Sequence, residues 1–377
     1  MKTAIIYNTF YYVAKFRLPL IKAMLEDGHS VLVLAPRDNF MADIENAGAE
    51  VVELPDMSSA GSIFLKLLPT FWLLFMHLRR RKIDVVFTYT IFPNLITPWI
   101  AKILNIRCYP NIAGLGSFII REPNLGTKIL TAVYALSAKI SSGVFFQNLD
   151  DQHDLGMHDN PRAVLLPGSG VDTYRFSPRS NQLVDYDRGP INILFVGRLL
   201  KQKGVIDFIE LSERVPHAEA LPESIKSRLR FTVVGERIDA EREVNEKLDD
   251  AIARKLITYD GTIPPSGIES VYRGARFFVL PTTYGEGVPR TILEASSMGV
   301  PCLAYAWRGV RDAIDHDRGG WLIEPGNVCG LAAKLAEALE LKSSEYRRMS
   351  EYAREAMKRR FSEEIVIARY RAAIHSP

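Results

Sequence analysis

The stretch Phe277-Phe-Val-Leu280-Pro281-Thr-Thr-Tyr-Gly-Glu286-Gly-Val-Pro-Arg-Thr-Ile-Leu-Glu294-Ala-Ser-Ser-Met-Gly-Val-Pro301 reads as a buried strand, a glycine-flanked turn and a helix in succession. The apolar run Phe277–Leu280 marks the strand, and Gly285 and Gly287 bracket Glu286 in the turn. A strand that feeds a turn and then a helix N-terminus presents unpaired backbone N–H groups and a positive dipole end to an anion. A carboxylate at that mouth repels a phosphate, so Glu286 is expected to meet neutral hydroxyls. Eight helical rises from Glu286 to Glu294 span at most about 12 Å. The spacing suits a ligand with hydroxyls at both ends and negative charge between them. A nucleotide-sugar has that form.

Outward from this stretch, apolar β-branched runs alternate with helical patterns along the whole chain. Strands are expected at 4–7, 31–35, 51–54, 85–88, 107–111 and 144–147, then at 191–196, 231–234, 257–259, 277–280, 301–305 and 321–323. Helices such as 16–27, 93–104, 124–139, 205–214 and 240–254 fill the gaps. Near-continuous hydrophobic strands spaced by helices predict parallel sheets covered on both faces. Two such arrays predict an α/β chain of two doubly wound, Rossmann-like domains facing a cleft, with ligands beyond the carboxyl ends of the strands. The boundaries expected are 1–172, a linker at 173–190 and a second domain at 191–360. A C-terminal helix at 361–377 is expected to pack back on the first domain.

The 377 residues, 47% of them hydrophobic, suffice for two cores. Cys108, Cys302 and Cys329 fit no metal-ligand spacing and read as reduced thiols, which suits the cytoplasm. The N-terminus reads as a first strand rather than a signal peptide, and no apolar run reaches the length of a membrane span. The net charge of +3 is uneven. Met57–Leu149 holds ten Lys or Arg against Asp84 and Glu122, a net of +8, which leaves −5 for the rest of the chain. An acidic partner is expected there. Residues 62–82 are very apolar, with Lys66, Thr70, His77 and Arg81 as one polar strip and a closing Arg79-Arg-Arg-Lys82 run. That pattern predicts a helix at an anionic membrane surface, the alternative being a helix buried against the sheet with a charged exit.

A second strand–loop–helix reads Phe195-Val-Gly197-Arg198-Leu-Leu-Lys201-Gln-Lys203-Gly204. Arg198 offers a planar fork for two phosphate oxygens and Lys203 a compact charge, a pair suited to a departing diphosphate. With Glu286 and Glu294, these positions resemble the nucleotide-sugar half of a large family of retaining glycosyltransferases of GT-B architecture. That family shows Gly-Arg followed by Lys-Gly in one loop and Glu-x7-Glu in another. Leu166-Pro-Gly-Ser-Gly-Val-Asp172, Gly261 and the run from Glu294-Ala to Gly299-Val-Pro301 add to the likeness, which covers essentially the whole chain. The resemblance implies that Arg198 and Lys203 hold the donor diphosphate and Glu294 the ribose hydroxyls. Glu286 would contact the transferred sugar, and the amides around Gly287 and Val288 would complete the pocket. An ionised carboxylate can only accept hydrogen bonds, and hydroxyls donate where phosphate oxygens do not.

In the first half, Asn8-Thr-Phe-Tyr-Tyr-Val-Ala-Lys15-Phe-Arg17 and Ala113-Gly114-Leu-Gly116-Ser-Phe118 resemble a bacterial subgroup of that family. Its members add a hexose or N-acetylhexosamine to a sugar on undecaprenyl diphosphate, in surface glycan or glycoprotein glycan assembly. Lys15 and Arg17 are then candidates for the acceptor's diphosphate. Gly114 and Gly116 allow either close approach of substrate or a turn. The first-loop glycine pair and the histidine near Gly114 that many relatives carry are absent. The resemblance further implies a UDP-sugar donor, no cofactor or metal, no nucleic acid, and a peripheral enzyme on the inner face of the cell membrane. Front-face attack is implied, with a donor phosphate oxygen taking the acceptor's proton. A UDP-sugar epimerase of the same architecture and a non-catalytic two-lobed binding protein are the alternatives. Asp150–Asp159, with His153 and His158 five apart, reads as a polar turn rather than a metal site, and Asp315-His-Asp317 as turn chemistry.

Overall fold

The computed structural model describes residues 1–56, 63–115, 125–178 and 189–375, with only the backbone given at 63–67. Among them are thirteen strands in two sheets. The first sheet comprises β1 (Lys2–Ile6), β2 (Ser30–Pro36), β3 (Glu50–Leu54), β4 (Val85–Tyr89), β5 (Arg107–Ile112), β6 (Val144–Phe146) and β7 (Ala163–Leu165). Their order is β3-β2-β1-β4-β5-β6-β7, every pair parallel. The second sheet comprises β8 (Ile191–Val196), β9 (Leu229–Val234), β10 (Thr258–Tyr259), β11 (Phe277–Leu280), β12 (Cys302–Tyr305) and β13 (Gly320–Ile323). Its order is β10-β9-β8-β11-β12-β13, again all parallel. Both sheets are doubly wound, as the hydrophobic runs predict. All twelve expected strands form, and β7 is the addition.

Contacts divide the chain into a first unit of Met1–Ser169, Gly285–Gly287 and Glu363–Pro377, and a second of Gly170–Tyr284 and Val288–Ser362. In the first unit, β1 and β4 are buried on both faces. Right-handed crossovers put the connections β1→β2 and β2→β3 on one face. That face takes the helices Phe10–Phe16, Leu18–Glu26 and Met41–Asn46. The connections β3→β4, β4→β5 and β5→β6 run the other way along the sheet, so the helices Ile63–Arg81, Ile91–Leu104 and Leu125–Ile140 share the opposite face.

The helix expected from 16 starts earlier, at Phe10, where the Thr9 side chain accepts from the Tyr12 amide at 3.2 Å, and it breaks at Arg17. Burial of Phe10 and Val13 in the core overrides the modest helix propensity of this aromatic run. The C-terminal helix Glu363–His375 belongs to the first unit. Its Tyr370 hydroxyl receives Tyr89 Oη at 3.0 Å and Asn111 Nδ2 at 2.6 Å, both buried, and Arg371 grips Asp27 at 2.6 Å.

In the second unit, the break between the helices Ser343–Arg360 and Glu363–His375 has a cause: the Val171 amide donates to Phe361 O at 2.9 Å, and Val171 bridges Ser362 in parallel. Phe176, inside the expected linker, is buried in this unit, and its carbonyl accepts from Ser297 Oγ at 2.7 Å and Arg354 Nη1 at 3.3 Å. Residues 179–188 of that linker lie outside the described residues.

Candidate active site

In the second unit, β8, β9 and β10 end on glycine-containing turns that interlock. The Gly197 amide donates to Val234 O at 3.0 Å and the Gly235 amide to Gly261 O at 2.8 Å. Gly235 has φ +152°, and a Cβ there would lie 1.8 Å from Gly197 O. No other residue fits such an approach. β11 pairs with β8, so the loop after β11 lies beside the loop after β8. Thr283 N and Thr282 Oγ1 both donate to Gln202 O, at 2.8 and 3.2 Å. Gly204, at φ +81°, has space for a Cβ only 2.1 Å from Pro281 O.

This stitching sets the cations. Lys203 is buried, with its ammonium 5.2 Å from the centre of the Tyr284 ring, and the Arg198 guanidinium lies 5.8 Å from the same ring. Arg198 itself is exposed. Two cations lie close to one aromatic ring at the carboxyl ends of a parallel sheet, where doubly wound folds take their ligands. Sequence reasoning missed Tyr284. Its place one residue before Gly285, in the same loop as Glu286, was the available signal.

Glu294 lies on the helix Arg290–Ser297 and is 9% exposed. Its Oε2 accepts from Tyr272 Oη at 2.9 Å and its Oε1 from Arg290 Nε at 3.0 Å. A carboxylate offers about four acceptor sites, so two stay available for hydroxyls. Burial, together with the Glu294 charge, pushes the Tyr272 hydroxyl well above its ordinary value, so it stays a donor. Tyr272 and Arg290 fix the carboxylate from both sides and were not foreseen. Arg290 stands four residues before Glu294, a readable helical spacing, whereas Tyr272 stands 22 residues away.

Glu286, partly buried, falls in the three-residue stretch Gly285–Gly287 that counts with the first unit. Within that unit the Gly287 amide donates to Ala113 O at 2.8 Å. The expectation that this amide completes a donor pocket is therefore corrected: its proton is already committed. A Cβ on Gly287 would meet Gln147 Oε1 at 2.4 Å. Val288 is buried in the second unit. Gly114, at φ +119°, would place a Cβ 2.4 Å from Gly285 O and 2.7 Å from Glu286 Cα. Its space is filled by protein backbone, which corrects its assignment to the acceptor. Gly116 lies outside the described residues.

Lys15 is exposed, and its Nζ donates to Tyr11 Oη at 3.1 Å. Arg17 differs. It is 1% exposed, 4.5 Å over the Tyr89 ring, with Nη2 donating to Ser169 Oγ at 3.4 Å. A guanidinium so enclosed has no open side for a diphosphate, which corrects the acceptor assignment made for it.

His153 and His158 lie with ring centres 5.3 Å apart, and no group of three or more potential ligands able to hold a metal occurs among the described residues. Asp315 receives Arg360 Nη1 and Tyr352 Oη, and Asp317 takes a left-handed φ of 61° in the turn before β13. Ser62 of the expected membrane segment lies outside the described residues. The helix runs Ile63–Arg81, with Thr70 buried and Arg81 paired to Glu50 at 2.7 Å, so these two members of the polar strip turn toward the protein. No described helix is long and apolar enough to cross a membrane.

Residues 182–356 match the family Glycosyl transferases group 1. The chain is 25% identical over 371 residues to the N,N'-diacetylbacillosaminyl-diphospho-undecaprenol alpha-1,3-N-acetylgalactosaminyltransferase of Campylobacter jejuni, covering 94% of this chain and 93% of the relative. It is 22% identical to the UDP-Gal:alpha-D-GlcNAc-diphosphoundecaprenol alpha-1,3-galactosyltransferase of Escherichia coli, over 68% of this chain and 66% of that one. Among solved structures, Anabaena HepE in complex with UDP superimposes with a TM-score of 0.81 at 15% identity, covering 100% of both chains. That likeness speaks to the GT-B fold.

Proposed function

Because this chain is a glycosyltransferase with a group 1 domain at residues 182–356, we propose that it moves a hexose or N-acetylhexosamine from a UDP-sugar to a sugar on undecaprenyl diphosphate. The names of the Campylobacter and Escherichia relatives support both the acceptor class and an alpha-linked, retained product. The observation that carries the donor side is the pair Arg198 and Lys203 set against Tyr284, with Glu294 held by Tyr272 and Arg290 in the same unit.

Arg198 and Lys203 neutralise the diphosphate as its bond to the anomeric carbon breaks and charge builds on the leaving oxygen. Glu294 accepts from the ribose hydroxyls. Glu286 holds hydroxyls of the transferred sugar and steadies its developing positive charge. The acceptor hydroxyl attacks from the side the diphosphate leaves, and its proton passes to a phosphate oxygen of that leaving group. No residue of the chain then needs to act as nucleophile, and no metal or cofactor is called for. Of the first-half residues, Lys15 alone remains a candidate for the acceptor's diphosphate. The enzyme acts as a peripheral protein on the inner face of the cell membrane, with residues 62–82 against anionic lipid.

Transfer from a panel of UDP-sugars to a synthetic polyprenyl-diphosphate sugar tests this reading. The wild type should release UDP only with donor and acceptor both present. Glu286→Ala should lower transfer about a hundredfold or more while changing UDP affinity little. Full transfer by that variant would remove Glu286 from the mechanism.

A further inference from the structure

The helix Leu125–Ile140 is built inside out. It buries Thr127, Tyr134 and Ser137, and exposes Ile129, Val133 and Leu136. The buried polar groups are satisfied: Ser137 Oγ donates to Leu95 O at 2.9 Å and receives Trp99 Nε1 at 3.0 Å, while Tyr134 Oη receives Asn94 Nδ2 at 2.8 Å. The neighbouring helix Ile91–Leu104 buries Asn94 and Thr97 beside the core residues Ile96 and Ile100, and leaves Ile103, at 64% exposed, outside. The helix Ile63–Arg81 buries Thr70 together with the core residues Leu74 and Leu78, and leaves Trp72 61% exposed, its ring stacked on Phe75. Eight of the thirteen exposed large hydrophobic side chains among the described residues lie on these three helices. They pack in a row on one face of the first sheet. Such clustering is not the scattered apolar exposure of an ordinary surface.

Charge identifies what covers this face. The three helices contain no Asp or Glu, but seven Lys or Arg. Arg79, Arg80, Lys102, Lys128 and Lys139 are exposed. The next helix in the row, Leu149–Asp154, brings in the surface carboxylates Asp150 and Asp154, and there the acid-free face ends. An apolar stripe with tryptophans and a cationic fringe free of acids matches the boundary between acyl chains and anionic headgroups.

We propose that the helices Ile63–Arg81, Ile91–Leu104 and Leu125–Ile140 together form a docking face for an anionic lipid bilayer, with Ile103, Ile129, Val133 and Leu136 entering the acyl boundary. This deepens the membrane contact proposed above for residues 62–82, and it moves the weight onto two helices outside that segment.

The test is sedimentation with vesicles in the absence of donor and acceptor, so its outcome is independent of the transferase reading. The full chain should bind phosphatidylglycerol vesicles, bind neutral phosphatidylcholine vesicles far less, and dissociate as salt rises. The combined variant Ile129→Glu, Val133→Glu, Leu136→Glu should lose binding about tenfold or more, with its melting temperature serving as the folding control. Should that variant misfold, quenching of the wild-type tryptophan fluorescence by brominated phosphatidylglycerol replaces it and needs no substitution. Unchanged vesicle binding in the folded variant, equal binding to neutral lipid, or an absence of quenching would overturn the proposal. So would a concentration-dependent dimer that the same three substitutions dissolve, since the face would then cover itself.

Discussion

The helices Val205–Arg214 and Leu125–Ile140 do the same topological job, each carrying a parallel crossover, yet their polarity is reversed. Val205, Phe208, Ile209 and Leu211 face the second sheet, while Glu210 and Arg214 pair outside at 2.6 Å. In Leu125–Ile140 the hydroxyls point in and the aliphatic chains point out. The first arrangement is what water imposes on a crossover helix. The second is stable on its inner side because its polar groups there are hydrogen-bonded, and under the docking proposal its outward face meets lipid. A crossover helix thus reports on the medium beyond it as well as on the sheet beneath it.

That contrast can be attacked directly. Phe208 is fully buried, its ring 5.6 Å from Phe195 and 5.9 Å from Phe231. Phe208→Ala should therefore cost about 3–5 kcal/mol in denaturant unfolding; a smaller loss would mean the second unit is packed more loosely than the first helix of the comparison implies. Next in size comes the polar chemistry of that unit. Arg198→Ala combined with Lys203→Ala removes two charge-assisted contacts worth about 1.5–3 kcal/mol each. Calorimetry should show UDP affinity down by about a hundredfold or more, and unchanged affinity would detach these cations from the donor.

Acid gives a weaker probe. Burial alone would raise the Asp315 carboxyl, but hydrogen bonds from Arg360 and Tyr352 bring it below its ordinary value. A depressed carboxylate stabilises the fold above its unfolded pKa, and that contribution is lost as pH falls through the folded one. The wild type should lose slightly more stability than Asp315→Asn over that acid range, by less than about 1 kcal/mol because the site is partly open to solvent. Smallest of all, Ile129→Gln should shift stability in water by no more than about 0.5 kcal/mol. A large loss would show that Ile129 is packed after all, and the contrast would fail.

Much of this was legible in the sequence for physical reasons. Runs such as Phe277–Leu280 announce doubly covered strands because a continuous apolar stretch has no solvent face to offer. β7 was not legible: three residues at the sheet edge, with none fully buried, leave no pattern. The loop cations and Glu294 were readable by spacing, but their companions Tyr284 and Tyr272 required knowing which elements meet. Arg17 was misread because nothing in Lys15-Phe16-Arg17 announces a Tyr89 ring closing over it. The outward stripe of Leu125–Ile140 was hidden for a related reason. Apolar side chains at that interval ordinarily mark the buried face, and only the placement of Ser137 and Tyr134 reverses the sense.

The attachment of Tyr370 to Tyr89 and Asn111 has a consequence for biosynthesis. The strands of the first sheet are made early, but the helix that closes over them is translated after everything up to Ser362. At ribosomal speeds of about 5–20 residues per second, the nascent N-terminal half waits many seconds with one flank of its core open. The first unit to leave the ribosome is accordingly the last to be completed.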